Sequence, residues 1–211
     1  MNVSEPVAGL LLAGGRSSRL GGGDKCLRLL GGRPILAHII DRIRPQVACM
    51  VLNANGEAER FASFGLPVVA DSVAGFAGPL AGIHAGLEWV RANRPELRFA
   101  VTIATDTPFF PADLVQKLLA YAGGSSSLAV ARSAEGLHPV MGLWPVALAP
   151  AIEASLKRGE RKVGKWVAEH GAIEVFFAEV EVAGRRIDPF FNINRAEELA
   201  EANALLVETA R

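Results

Sequence analysis

Five short apolar runs recur along this chain, separated by amphipathic stretches of helical length. The runs are VAGLLLA (residues 7–13), ACMVLNA (48–54), PVVA (67–70), FAVTIAT (99–105) and LAVARS (128–133). Each is apolar at successive positions, which suits strands covered on both faces in a parallel sheet. The segments ILAHIIDRIRPQ, PLAGIHAGLEWVRAN, PADLVQKLLAYA and ALAPAIEASLKRG carry apolar residues at helical spacing, and Pro111 and Asp113 suit a first helical turn. Such alternation predicts an α/β fold: a mostly parallel sheet with right-handed crossovers and helices on both faces. AIEVFFAEVEV (172–182) reads as one strand or a hairpin. RAEELAEANALLVETAR (195–211) reads as a terminal helix with Asn194 as N-cap and Glu197 three residues on. No repeat or linker divides the 211 residues, so a single domain is expected.

Half of the residues are hydrophobic, enough for a sizeable core, and 22 acidic residues balance 22 basic ones. That balance lacks the basic excess of a nucleic-acid-binding domain, so an anionic ligand must be held by a local site. Cys26 and Cys49 are too few for a metal cluster or a disulfide framework, and reduced thiols are expected. The opening MNVSEPV has no basic leader and no run approaches a membrane span. A cytoplasmic protein without a membrane partner is expected.

Ligands of such sheets bind at the carboxyl ends of the strands, and four of those ends are polar. After the first strand comes LLAGGRSSRLGGGDK, residues 11–25, with five glycines and three cations. Its glycines, Gly14 and Gly15 among them, let backbone N–H groups approach phosphate oxygens, while Arg16, Arg19 and Lys25 neutralise charge. It matches neither the Walker P-loop nor the dinucleotide fingerprint. The alternative is a flexible surface loop.

The other ends carry Asn53 and Asn55, then Asp71, then Asp106. Asp106, in ATDTPFF, is either a ligand for a hard cation shared with substrate phosphates or a helix N-cap. Asp71 and Asn53 read as rim residues. The Asp71 carboxylate suits the two N–H donors of guanine's Watson–Crick edge and neither acceptor of cytosine, and Asn53 is placed to touch base or ribose. A turn role is the alternative for both.

LAGG with GGGDK, followed in order by LRLLGGRPIL, VLNAN, GPLAGI, DTP, HPV and FNIN, resembles the molybdenum cofactor guanylyltransferases, the MobA family of nucleotidyltransferases. The resemblance runs from about Val7 to Leu199. One departure is Leu20, where Met is usual. It implies the Rossmann-like three-layer sandwich of nucleotidyltransferases, with GTP bound by the N-terminal part and the acceptor by the C-terminal part. It implies transfer of GMP from GTP to the phosphate of molybdenum-bearing molybdopterin. GTP contacts would fall to Leu12, Ala13, Gly14, Lys25, Asn53, Asp71 and Asp106. Asp106 would also hold Mg²⁺, and Arg19 and Lys25 would stabilise charge on the phosphates. Transient contacts with molybdenum-insertion proteins and molybdoenzyme chaperones are implied as well. The nearest rivals are a cytidylyl-transferring relative and a non-catalytic molybdopterin carrier. LAGG and Asp71 speak against the first, and Lys25 with Asp106 against the second.

Several residues keep two readings. His138 lines the acceptor side or is a structural turn histidine. Asn192 and Asn194 touch the pterin or shape the approach to the last helix. Arg158, Arg161 and Lys162 form a solvated helix end or a cradle for the acceptor's phosphate. His38, His84 and His170 are expected at surfaces or helix ends, and Trp89, Trp144 and Trp166 in packing.

Overall fold

In a computed structural model of the protein, residues 5–13, 24–73, 78–122 and 127–209 are described. The first apolar run forms β1 (Val7–Leu12), buried at every position. Its even-numbered residues Ala8, Leu10 and Leu12 join one core cluster. Val7 and Leu11 join another on the opposite face. This alternation is the period-two geometry of a strand with a layer on each side.

After β1 the chain makes a small hairpin of β2 (Leu29–Leu30) and β3 (Arg33–Pro34). Next come α1 (Ile35–Ile43), β4 (Cys49–Asn53) and β5 (Val68–Val69). Then follow α2 (Pro79–Asn93), β6 (Phe99–Ala104), α3 (Leu114–Ala122) and β7 (Ala129–Ser133). The remainder comprises β8 (Gly136–Pro145), α4 (Ala149–Lys157), α5 (Val163–Glu169) and β9 (Ile173–Phe176). β10 (Val180–Val182) and β11 (Arg185–Ile187) form a separate ribbon before α6 (Ala196–Thr209).

The central sheet has seven strands in the order β5-β4-β1-β6-β8-β7-β9. β5, β4, β1 and β6 are parallel, as is the β7–β9 pair, whereas β8 runs antiparallel to both β6 and β7. Residues of α1, α3 and α6 pack into one core cluster and those of α2, α4 and α5 into the other, so the sandwich has three layers.

The sequence reading missed β8. GLHPVMGLWP carries two glycines and Pro139, which breaks the apolar-run signature. The pairing explains how Pro139 is accommodated: Val130 faces Gly142 while its neighbour Ala131 faces His138, so residues 139–141 lack partners on β7. A residue without an N–H donor is tolerated at such a bulge. The segment 172–182 is neither one strand nor a hairpin, since its halves join the central sheet as β9 and the ribbon as β10.

α2 lies unusually close to the sheet. A Cβ at Gly86 would stand 2.2 Å from a Leu10 methyl, and one at Gly82 2.2 Å from Asn53 Oδ1. Glycines four apart share one helix face, and here that face touches the ends of β1 and β4. The helix starts in the favoured way, with Pro79 at its first turn after Gly78 at φ +76°. Trp144 and Trp166 are fully buried, 5.6 Å apart, as expected of packing residues. Burial of such a ring contributes roughly 1.5–3 kcal/mol. His84 departs from the expected surface role: it is 7% exposed, with Nδ1 2.7 Å from Ser72 Oγ. Burial lowers its pKa, so the ring is neutral at pH 7. His38 bonds the Leu30 carbonyl, and His170 ends α5, stacked on Trp166. Among the described residues no helix is long and apolar enough to cross a membrane, and both cysteines are free.

Candidate active site

The parallel strands β1, β4, β5 and β6 end on one side of the sheet, and their polar residues meet there. β1 leads through Leu12 into Ala13, whose N–H donates to the Asn53 carbonyl at 2.9 Å. Thr105, just beyond β6, donates its hydroxyl to the Leu12 carbonyl at 3.0 Å. The ends of β1, β4 and β6 are thereby stitched together before any ligand is considered.

Asn53 is not at the rim, as the sequence suggested, but 2% exposed. Its amide donates to the Val69 carbonyl at 3.2 Å and to Asp71 Oδ1 at 3.0 Å. The absence of a side chain at Gly82 leaves room for its oxygen. Asn53 therefore acts from beneath, fixing Asp71. Asn55 completes the clamp: Nδ2 donates to Asp71 Oδ2 at 2.8 Å while Oδ1 accepts the Asp71 N–H at 2.9 Å. Each Asp71 oxygen has received one donor and retains capacity for another. The half-buried carboxylate is thus pre-oriented for a ligand with two adjacent N–H groups.

Across the site, Asp106 follows β6 with its side chain 26% exposed. It is not a helix cap, because α3 starts only at Leu114, whose N–H bonds the Pro111 carbonyl. Burial raises its carboxyl pKa; the Lys25 ammonium, with Nζ 3.9 Å from Oδ2, opposes that shift. Burial outweighs the neighbouring cation, and the carboxyl sits recessed beside it. Lys25, 23% exposed, also donates to Asn194 Oδ1 at 2.6 Å.

Asn194 is therefore not the N-cap of α6. Glu198, rather than Glu197, accepts the N–H groups of Asn194 and Arg195, which frees the Asn194 side chain to reach Lys25. The FNIN segment is bound at two further points: Ile193 N–H donates to the Asp106 carbonyl at 2.9 Å, and the Thr107 hydroxyl donates to Asn192 Oδ1. Gly14, Gly15, Arg16, Arg19 and Leu20 lie outside the described residues.

Residues 9–173 match the family model of the MobA-like NTP transferase domain. The chain belongs to the MobA-like NTP transferase family. It is 50% identical over 202 residues to the molybdenum cofactor guanylyltransferase of Mesorhizobium japonicum, covering 95% of this chain and 96% of that relative. A guanylyltransferase of the same name from Bradyrhizobium sp. is 49% identical over 206 residues, or 97% of this chain and 95% of that relative. Among solved structures, molybdopterin-guanine dinucleotide biosynthesis protein A of Archaeoglobus fulgidus superposes with a TM-score of 0.70 at 22% identity, covering 96% of this chain and all of that one. A 4-diphosphocytidyl-2C-methyl-D-erythritol synthase from Anaerococcus prevotii reaches the same 0.70 at 13% identity, covering 97% of each chain. These two likenesses establish the nucleotidyltransferase fold.

On this MobA-like scaffold the remaining residues fall into place. His138 is half-buried on β8, its Nε2 2.7 Å from Ser133 Oγ and its ring against Phe190. It is a strand residue rather than a turn histidine. Burial lowers its pKa. The basic segment before α5 packs its backbone against the start of α2, since a Cβ at Gly78 would stand 3.3 Å from the Arg161 carbonyl. Arg158 is turned to Glu160 and Ser155, and Arg161 to the Leu156 and Glu160 carbonyls, which favours the solvated helix end.

Among the described residues no three of His, Cys, Asp and Glu form a metal-holding group. Mg²⁺, however, is commonly held by one or two carboxylates together with substrate phosphates. The recessed Asp106 carboxyl, 26% exposed just beyond β6, fits that mode.

Sequence reasoning missed Arg60. It sits in a 3₁₀ segment (Ala58–Phe64) with its guanidinium over the buried Phe61 ring, 4.4 Å from the centroid. Nε donates to Asp24 Oδ2 at 2.5 Å and Nη2 to the Asn55 carbonyl at 2.6 Å. The signal available in the sequence was Asp24 itself, an acid beside Lys25 at the end of a loop that otherwise carries only cations.

Proposed function

We propose that this protein transfers the guanylyl group of GTP to the terminal phosphate of molybdenum-bearing molybdopterin, forming the guanine dinucleotide and pyrophosphate. The observation that carries the reading is the pairing of Lys25 with Asp106 at the ends of β1 and β6, opposite an Asp71 carboxylate held by two amides. The guanylyltransferase name shared by relatives along nearly the whole chain supports it.

An oxygen of the acceptor phosphate attacks the α-phosphorus in line with the departing group. A new P–O bond forms, the α–β bridging bond breaks, and its electron pair leaves with pyrophosphate. No general base is required, because a phosphate nucleophile is already ionised near neutral pH. Positioning and charge neutralisation carry such reactions. Asp71 takes the N1–H and amino group of guanine, while Asn53 and Asn55 hold its carboxylate in plane. The backbone after Leu12 and Ala13, with Gly14 and Gly15, cradles the phosphates. Lys25 and Arg19 neutralise charge on the α-phosphate and the leaving group. Asp106 holds Mg²⁺, which when bound supplies further neutralisation of the triphosphate.

The acceptor enters from the side of FNIN and His138. The two free thiols suit a cytoplasmic location, and the product passes by transient contact to molybdenum-insertion proteins and molybdoenzyme chaperones.

Thermal unfolding with nucleotides tests the reading. GTP with Mg²⁺ at about 100 times its dissociation constant should add roughly 2.7 kcal/mol, or about 5–10 °C for a chain of this size. CTP and ATP at equal concentration should give little shift, since neither base offers the guanine donor pair. Equal shifts with GTP and CTP would overturn the guanine assignment.

A further inference from the structure

An acid is out of place in a phosphate-binding loop. Asp24 immediately precedes Lys25, whose ammonium lies beside Asp106, so a free carboxylate there would stand near the triphosphate and repel it. The structure shows what meets it. Arg60 Nε donates to Asp24 Oδ2 at 2.5 Å and Nη2 approaches Oδ1 at 3.4 Å. Both side chains are recessed, 28% and 22% exposed, so water screens the pair only partly. The guanidinium is anchored from behind by the Asn55 and Glu57 carbonyls and by the Phe61 ring. Asn55 in turn grips Asp71.

We infer that Arg60 is the built-in counter-ion of Asp24, a positioning residue that lets the glycine loop end on an acid without repelling the nucleotide. The same guanidinium ties that loop end to the Asn55–Asp71 corner. The inference rests on the proposed GTP site.

Calorimetric titration of GTP with Mg²⁺ into the full chain, alongside melting curves, tests it. Arg60→Met should weaken GTP binding by about tenfold or more, because an uncompensated charge close to a polyanion acts in a partly desolvated setting. Adding Asp24→Asn to Arg60→Met should restore binding to within about threefold of wild type. A purely structural tether predicts the opposite, since the double variant has lost the same contact. The Arg60→Met defect should also shrink as KCl is raised, through screening.

Asp24→Asn alone should bind GTP at least as tightly as wild type; weakening would make Asp24 a ligand contact and overturn the inference. Should Arg60→Met fail to fold, Arg60→Lys keeps the charge without the fork and should bind within about threefold. A larger loss there would overturn the counter-ion role. If wild type itself binds no GTP, the proposed function fails. If it binds and the double variant stays as weak as Arg60→Met, only the counter-ion inference fails.

Discussion

Asp106→Asn should abolish guanylyl transfer while leaving the protein at least as stable as wild type at neutral pH. The activity side follows from geometry: Asp106 is the recessed carboxyl beside Lys25, and on the proposed reading it is the residue that would hold the metal. Several kcal/mol of transition-state charge stabilisation go with that metal, so kcat should fall by about a thousandfold. GTP binding should at the same time lose its dependence on Mg²⁺. The stability side follows from burial, which raises the Asp106 carboxyl above its ordinary value of 3.8. A raised carboxyl favours the folded state below pH 3.8, and that contribution is lost as pH climbs through the folded value. Asn carries no such penalty. The melting temperature of the variant, relative to wild type, should therefore rise between pH 3.5 and pH 7. Undiminished transfer with unchanged metal dependence would reduce Asp106 to a structural residue.

Lys25→Met should lower kcat/KM for GTP by about 10²–10³, the range for removal of one charge-stabilising donor. Two contacts locate the ammonium: the Asn194 oxygen at 2.6 Å and Asp106 at 3.9 Å. With one of its three N–H donors spent on Asn194, two remain for Asp106 and, on the proposed reading, for the phosphates. Lys25→Arg should not rescue, because a planar fork cannot reproduce the point contact to Asn194. Steady-state kinetics with GTP varied at saturating acceptor decides the matter. A loss under threefold would remove Lys25 from the mechanism.

The parallel half of the sheet was legible because burial on both faces leaves a signature in consecutive residues: VAGLLLA, CMVLN and FAVTIA need no context to be read as strands. β8 was not, because its antiparallel course and its bulge at residues 139–141 admit Gly and Pro that disguise it. α5 escaped through its length: seven residues hold too few turns for a helical period, and only Val163, Trp166 and Val167 mark its buried face.

For the site, strand ends singled out Asp71, Asp106 and Asn53, since topology alone sends such residues to one edge. The error over Asn53 has the same root. Position on a strand fixes which edge a residue approaches but not its depth, and depth here was set by Gly82 on another element. The assignment of Asn194 failed because helix-end chemistry was read from spacing, with Glu197 and Glu198 adjacent and only one able to reach back. Arg60 left no local pattern at all; its meaning comes from Asp24, 36 residues away.

The hydrogen bond between Lys25 and Asn194 spans 169 positions of the chain. A contact of that reach pays a heavy loop-closure entropy and forms only when the intervening sheet already holds its two ends together. α6 reinforces the arrangement further along, where Asn203 accepts the Gly31 N–H of the hairpin that follows Lys25. Folding intermediates that have built β1, β4 and β6 but not docked α6 would thus possess a nucleotide-side edge without an organised lysine. The placement of Lys25 in this architecture is a property of the completed fold.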